Sequence, residues 1–406
     1  MDFAIKDFSI LLLIAAIVAI IARRCKLPYS IGLVVAGIAL AFIKPMNIPF
    51  TKDVIFNGFL PPLIFEAALF IIWRQLKRDL PIILVFVTAG LLLSAAVTAA
   101  GMHYLAGWAW ASASVFGILI AATDPVSVIA TFKEAGVHGR LRLLVEAESL
   151  MNDGTAAVGF IIAVALATGA QTLSAGHIAT TLFMTVTGGV LCGALISGGI
   201  LLLVGKAQDH LVEITLTTII AYSSFIVAEH YHFSGVLSCM TAGLITGNYG
   251  FTHSLTARGK EAVTNFWEYA AFVANSLIFI LIGISEAKQT FTPMLAAGGI
   301  AIALVTLGRA VAIYPFSALF ARSRLKVDMA HQHILFWGGL RGALALGLAL
   351  GLPDDMPDRD AITTVTFLVV AFSIFVQGMT MTPLLKKLGQ LPEEDSIRSV
   401  FKDSHS

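Results

Sequence analysis

The sequence predicts an all-α membrane protein of about thirteen transmembrane helices, and three observations carry that expectation. Of 406 residues, 57% are hydrophobic and 13% are charged, about half the charge that a soluble domain usually carries. The apolar residues gather into stretches near the roughly 20 residues that a bilayer-spanning helix needs. Basic residues then concentrate in alternate connections between those stretches, the pattern of a multi-pass protein. A net charge of +1 argues against a nucleic-acid partner.

The expected stretches are 8–24, 29–43, 54–73, 80–105, 108–131, 141–168, 178–205, 211–230, 234–249, 263–285, 294–320, 332–352 and 362–385. The second and ninth are short. The first is not expected to be a cleaved leader, because Arg23, Arg24 and Lys26 follow its apolar run instead of preceding it. Apolar residues are in excess along the whole chain, so residues 1–406 are expected to form a single embedded domain, with the polar residues after Pro383 too few to fold alone. Cys25, Cys192 and Cys239 stand apart in apolar surroundings, which suggests neither a disulfide framework nor a zinc site.

Loop charge sets the orientation. With the N-terminus outside, the inner connections and the C-terminal tail hold nineteen basic residues, among them Arg74, Lys77, Arg78, Arg140, Arg322 and Lys386. The outer side holds five, Lys6, Lys44, Lys52, Lys288 and Arg359. That asymmetry predicts an outer N-terminus and a cytoplasmic C-terminus.

An ionisable group at membrane depth is expensive, so it is normally paired, turned inward and tied to a pathway. The sixth stretch reads Glu146-Ala147-Glu148-Ser149-Leu150-Met151-Asn152-Asp153-Gly154-Thr155. At helical spacing Glu148 stacks with Asn152, and Ser149 with Asp153. One face thus carries two carboxylates, an amide and a hydroxyl, the oxygen donors that hard cations such as Na⁺ prefer. Glu146 lies near the helix start and can equally be an exposed loop acid. Asp153 lies about twelve residues inside, before an apolar run.

The fifth stretch supplies a complement in Ala121-Ala122-Thr123-Asp124-Pro125-Val126-Ser127. Proline removes a backbone donor and leaves a carbonyl without its helical partner, and irregular backbone at membrane depth is tolerated where it lines a cavity. Thr123 and Asp124 would then offer oxygens beside the sixth helix. The twelfth stretch echoes the fifth with Trp337-Gly338-Gly339-Leu340-Arg341-Gly342-Ala343. Seven segments separate the two, so the copies run in opposite directions. Paired interrupted segments of this kind point to inverted repeats, with two broken helices crossing near the midplane around a site. Arg341 either faces backbone carbonyls or a helix end, or snorkels to the inner boundary. Arg309 has long apolar flanks on both sides, so a buried acid should neutralise it. Glu148 is the first choice, because Asp153 must stay free to exchange ligands. His331 and His333 flank the inner end of the twelfth stretch and read as solvated loop residues in preference to pH sensors. Gln377 and Gly378 in the last stretch read as packing residues.

These residues resemble the monovalent cation:proton antiporters of the sodium/proton exchanger type, bacterial branch. The matching stretches are Ala122-Thr123-Asp124-Pro125, Glu148 through Asp153, Gly339-Leu340-Arg341-Gly342, the Ala228-Glu229-His230 to Ser234-Gly235 junction, and Asn275-Ser276-Leu277-Ile278-Phe279. Pro61-Pro62-Leu63-Ile64-Phe65-Glu66 resembles a third-segment motif linked to inhibitor sensitivity in animal relatives, with Glu66 read as structural or interfacial. The resemblance runs from about residue 10 to 385. It implies a homodimer in a bacterial inner membrane, with core helices near 80–168 and 294–385, dimer-interface helices near 8–73 and 211–285, and a linker helix near 178–205. It also implies that Asp153, Asp124, Thr123 and Ser149 hold the ion, with Glu148, Asn152, Arg309 and Arg341 supporting the site.

The function expected is secondary active exchange of protons for Na⁺ or Li⁺, without enzymatic chemistry and without a cofactor beyond the transported ions. Burial disfavours the charged form of a carboxylate, and either a proton or a cation can neutralise Asp153. If only the neutralised site crosses, exchange follows without leak. A K⁺/H⁺ antiporter of the same family is the alternative. A cation channel would need no pair of exchange-competent carboxylates. An intramembrane aspartyl protease would want Tyr-Asp and Gly-x-Gly-Asp contexts, where this chain has Thr-Asp-Pro and Asn-Asp-Gly.

Overall fold

A chain in hydrocarbon must satisfy its backbone hydrogen bonds within itself, and helices occupy each of the apolar stretches. The computed structural model describes residues 5–25, 28–43, 51–124, 128–129, 132, 136–137, 139–169, 175–205 and 209–390. Among these residues every regular element is helical. In chain order the helices are α1 (Ile5–Cys25), α2 (Tyr29–Ile43), α3 (Val54–Leu69), α4 (Trp73–Ala106), α5 (Trp110–Leu119), α6 (Arg140–Ala167) and α7 (Ala175–Val204). They continue with α8 (His210–His230), α9 (Gly235–Ile245), α10 (Ala257–Glu286), α11 (Leu295–Leu319), α12 (Met329–Trp337), α13 (Ala343–Leu350) and α14 (Arg359–Lys387). Among the described residues seven helices are long and apolar enough to cross a membrane, and shorter apolar helices accompany them. The chain is a multi-pass membrane protein.

The boundaries on either side of residues 70–80 differ from expectation. The third stretch ends at Leu69, and α4 starts at Trp73, seven residues before the expected 80. The reason is Asp79, which is fully buried and accepts from Arg78 and from Arg140 Nε at 2.9 Å. Arg140 also donates to the carbonyls of Leu325 and Lys326. With its acid neutralised, the charged turn around Arg74 to Arg78 packs as helix instead of standing free as a loop.

The helices pack mainly in two groups. In one, α2 runs along α10 with α1 beside it, and α3, α8 and α9 complete the group, with α7 against α8 and α9. Gly37 and Gly283 allow the α2–α10 contact, since a methyl at either would sit 2.2 Å from a carbonyl oxygen of the opposite helix. Trp267 ties α10 to α8 through a hydrogen bond to Thr217 Oγ1 at 3.1 Å, and its ring packs on Phe65 of α3. In the other group α4 packs between α5 and α11, with α6 and α14 alongside. The two broken segments, α5 with its non-helical extension and α12 with α13, belong to this second group.

Candidate functional site

Helix α5 stops at Leu119, and Ala122 to Asp124 leave the helical path. Helix α12 stops at Trp337, and α13 begins only at Ala343. The two breaks meet: the Asp124 backbone N–H donates to the Leu340 carbonyl at 2.7 Å. Arg341 is 2% exposed and does not snorkel. Its Nη1 donates to the carbonyls of Ala121 at 2.6 Å and Ala122 at 2.9 Å, just past the end of α5. Its Nε is buried without a hydrogen bond among the described residues. Pro125 and Ser127 lie outside the described residues.

Helix α6 passes this crossing with its polar face turned in. Thr123 donates through its backbone N–H to Asn152 Oδ1 at 3.1 Å and through its hydroxyl to Ser149 Oγ at 3.0 Å. Asn152 Nδ2 donates to Thr123 Oγ1 at 2.9 Å and to Glu148 Oε1 at 3.2 Å. Glu148 takes both terminal nitrogens of Arg309, at 2.7 and 2.8 Å. The remaining donors of Arg309 reach the Leu335 carbonyl at the end of α12. A chain of hydrogen bonds thus runs from α11 through α6 to the break after α5. Glu146 pairs with Arg142 one turn away at 2.6 Å.

Asp153 stands apart from that network. It is 7% exposed, and its Oδ1 is buried without a hydrogen bond among the described residues. Asp153, Asp124 and Thr123 line a cavity of about 220 Å³ between the two helix groups. Gly342 abuts Asp124, where a methyl would lie 2.3 Å from Oδ2. Glu66 also lines the cavity, a position not evident from a reading as structural or interfacial. Glu268 of α10 lines it as well and was not singled out by sequence, because it sits near the polar start of its helix with no motif around it. His331 and His333 lie half-buried on α12 instead of in a solvated loop, and Tyr314 and His333 Nδ1 share a hydrogen bond of 2.8 Å. Among the described residues no cluster of three or more His, Cys, Asp and Glu side chains could hold a resident metal ion. What the arrangement offers is one buried carboxylate oxygen, Asp153 Oδ1, without a hydrogen bond among the described residues, beside a hydrogen-bonded cluster of oxygen-bearing side chains.

Comparison with known proteins identifies the family and the fold. The chain is 36% identical over 403 residues to the low-affinity Na⁺/H⁺ antiporter NhaS1 of Synechocystis, which covers 97% of this chain and 76% of that relative. It is 37% identical over 383 residues to the Na⁺/H⁺ antiporter ApNhaP of Aphanothece halophytica, covering 92% and 72%. Its structure matches that of the sodium proton antiporter MjNhaP1 from Methanocaldococcus jannaschii at pH 8 with a TM-score of 0.72 and 19% identity, covering 95% of this chain and 98% of the other. The two share a fold. The family model described as sodium/hydrogen exchanger, transmembrane, matches residues 10–387. With that span and relatives above 30% identity along most of its length, the chain belongs to the transmembrane sodium/hydrogen exchanger family.

Proposed function

We propose that this chain exchanges protons for Na⁺, or Li⁺, by alternating access, one for one, with both ions competing for Asp153. One observation carries the reading. Glu148, Asn152, Thr123 and Ser149 bond with one another, whereas Asp153 Oδ1 is buried without a hydrogen bond among the described residues, in a side chain that lines the cavity. A buried charge without a partner is costly. A proton removes the cost by neutralising the carboxylate, and a monovalent cation removes it by binding. Asp124, Thr123 and Ser149 supply further oxygens for the cation, and Glu148, Asn152, Arg309 and Arg341 hold the frame. The Na⁺/H⁺ exchange named for the relatives supports sodium as the cation.

Only the neutralised site crosses the apolar barrier, so the empty, charged site stays on its own side. The moving body comprises the core helices near 80–168 and 294–385. It rocks against the helices near 8–73 and 211–285, with 178–205 linking the two. The helices near 8–73 and 211–285 pair two copies of the chain into a homodimer. The chain sits in a bacterial inner membrane with its N-terminus outside and C-terminus in the cytoplasm, the orientation that the nineteen-to-five split of basic residues supports. Proteoliposomes carrying a pH-sensitive dye test the reading when Na⁺, Li⁺ and K⁺ are added in turn. Na⁺ or Li⁺ should drive proton movement in the opposite direction and K⁺ should not. Cation flux without proton movement would make the protein a channel, and a response to K⁺ alone would overturn the ion.

A further inference from the structure

Helix α14 widens into a π-helical turn over Ser373–Gln377. Such turns insert a residue, re-aim side chains and recur at functional sites. Ser373 is fully buried and Gln377 is 7% exposed, in an otherwise apolar run. Ser373 Oγ accepts from the Arg341 backbone N–H at 2.8 Å and donates to Gln377 Oε1 at 2.6 Å. A hydroxyl has one proton to give, so the chain of bonds has one direction, from Arg341 through Ser373 to Gln377. Gln377 also lines a small cavity with Thr306 and with the side chains of Arg309 and Arg341.

Arg341 needs this anchorage. It lies in the non-helical link between α12 and α13, next to Gly342 and two residues after Gly339. No helical ladder holds its N–H, and its guanidinium reaches across to the end of the α5 segment. It lies within electrostatic reach of Asp153 and Glu148, and of Arg309. Around Asp153 the charged neighbours are Asp124, Glu148 and Arg341, with Glu66 and Glu268 on the shared cavity.

We propose that Ser373 and Gln377 are positioning residues for exchange: they fix the backbone at Arg341, and with it the guanidinium that holds the Ala121 and Ala122 carbonyls beside the ion site. The proposal rests on exchange at Asp153. If Arg341 is released, the Ala121 and Ala122 carbonyls lose their donor, and Thr123 and Asp124 next to them lose their fixed place on the cavity. The apparent KM for Na⁺ then rises.

The test uses full-length Ser373→Ala, Ser373→Thr and Gln377→Leu in proteoliposomes, with Na⁺ titrations across pH, and amide hydrogen exchange on the peptide spanning Gly338 to Ala345. Ser373→Ala and Gln377→Leu should raise the Na⁺ KM about three- to tenfold, the weight of one hydrogen bond, with kcat near wild type. Ser373→Thr keeps the hydroxyl and should keep the wild-type KM. Amide exchange at Arg341 should be faster in Ser373→Ala. If kcat falls equally in the Ala and Thr variants while the Na⁺ KM stays put, the role is packing and the proposal fails. It fails too if Ser373→Ala matches the wild-type KM. Should Ser373→Ala not fold, Gln377→Leu decides, because it removes the acceptor that orients the Ser373 hydroxyl under the Arg341 N–H and leaves Ser373 in place. Lack of exchange by the wild-type protein would overturn the functional reading, and amide exchange would still decide whether Ser373 anchors Arg341.

Discussion

Arg309 and Glu148 form a bidentate pair, Nη1 to Oε1 at 2.7 Å and Nη2 to Oε2 at 2.8 Å, between side chains only 9% and 2% exposed. The guanidinium fork matches a carboxylate in plane, which makes such pairs both strong and directional. The leftover donors of Arg309 hold the Leu335 carbonyl. One ion pair therefore fixes α11 to α6 and to the end of α12 beside the break. Removing either partner would strand a buried charge.

That relationship gives the first prediction. Glu148→Gln should lower the stability of the detergent-solubilised protein by about 3 kcal/mol, near the lower end of the 3–5 kcal/mol typical of broken buried pairs, because Arg309 keeps the Leu335 carbonyl. Arg309→Gln should cost at least as much. The double variant should regain part of the loss, since no lone charge remains. Thermal unfolding of the four proteins checks this. Losses that simply add in the double variant would show that the two charges do not stabilise each other.

Asp153→Asn should abolish proton-coupled exchange and leave folding intact. The amide is close in size to the carboxylate and removes a buried charge, so stability should hold or rise. It cannot take up and release a proton near neutral pH. Size-exclusion profiles and melting temperature report the fold, and dye-reported exchange reports the function. Exchange above a tenth of the wild-type rate in purified Asp153→Asn would remove Asp153 from its proposed role.

Gly342→Ala places a methyl 2.3 Å from Asp124 Oδ2 and 2.7 Å from its Cβ and Cγ. The carboxylate must move, at a cost of about 1–3 kcal/mol for overpacking. The expected outcome is a small drop in melting temperature with a loss of about tenfold or more in exchange, because the displaced group belongs to the proposed ion site. A variant with wild-type rate and KM would show that the position of Asp124 does not matter for transport.

Much of this was legible in the chain because membrane burial makes certain residues conspicuous. Arg309, with apolar flanks on both sides, demanded an acid, and the cost argument led to Glu148. Three glycines and an arginine inside an apolar run marked the break between α12 and α13, and Thr123-Asp124-Pro125 marked the end of α5. Other features carried no local signal. Asp79 is neutralised by Arg140, 61 residues away, so its charged surroundings read as a loop when they are helix. Ser373 is one serine in an apolar helix, and only the folded crossing shows it beneath the Arg341 amide. Gln377 was visible as a polar residue, yet its partner lies one turn away on a π segment that periodicity does not reveal.

The final prediction is that exchange is electroneutral, and it follows from counting the groups that can carry a proton. Asn152 precedes Asp153 and bonds with Thr123 and Glu148. An amide does not ionise near neutral pH, so this position adds no second proton carrier. Glu148 is locked to Arg309 through both oxygens. Taking up a proton there would strand the guanidinium, so Glu148 stays charged throughout the cycle. Asp124 is the remaining acid of the proposed site. It lines the cavity with Asp153, and like charges facing one cavity oppose ionisation of both, so the two carboxylates together are expected to exchange a single proton per cycle. One proton then balances one cation, and membrane voltage exerts no bias on the steady state. Proteoliposomes with a fixed Na⁺ gradient and an imposed valinomycin–potassium potential measure this directly. Rate and end point should be the same at either polarity. A voltage-dependent end point would require a second proton carrier, and Asp124→Asn should then restore voltage independence, because the proposed ion site would have lost its other carboxylate; voltage dependence that survives in Asp124→Asn would point to Glu66 or Glu268 on the same cavity.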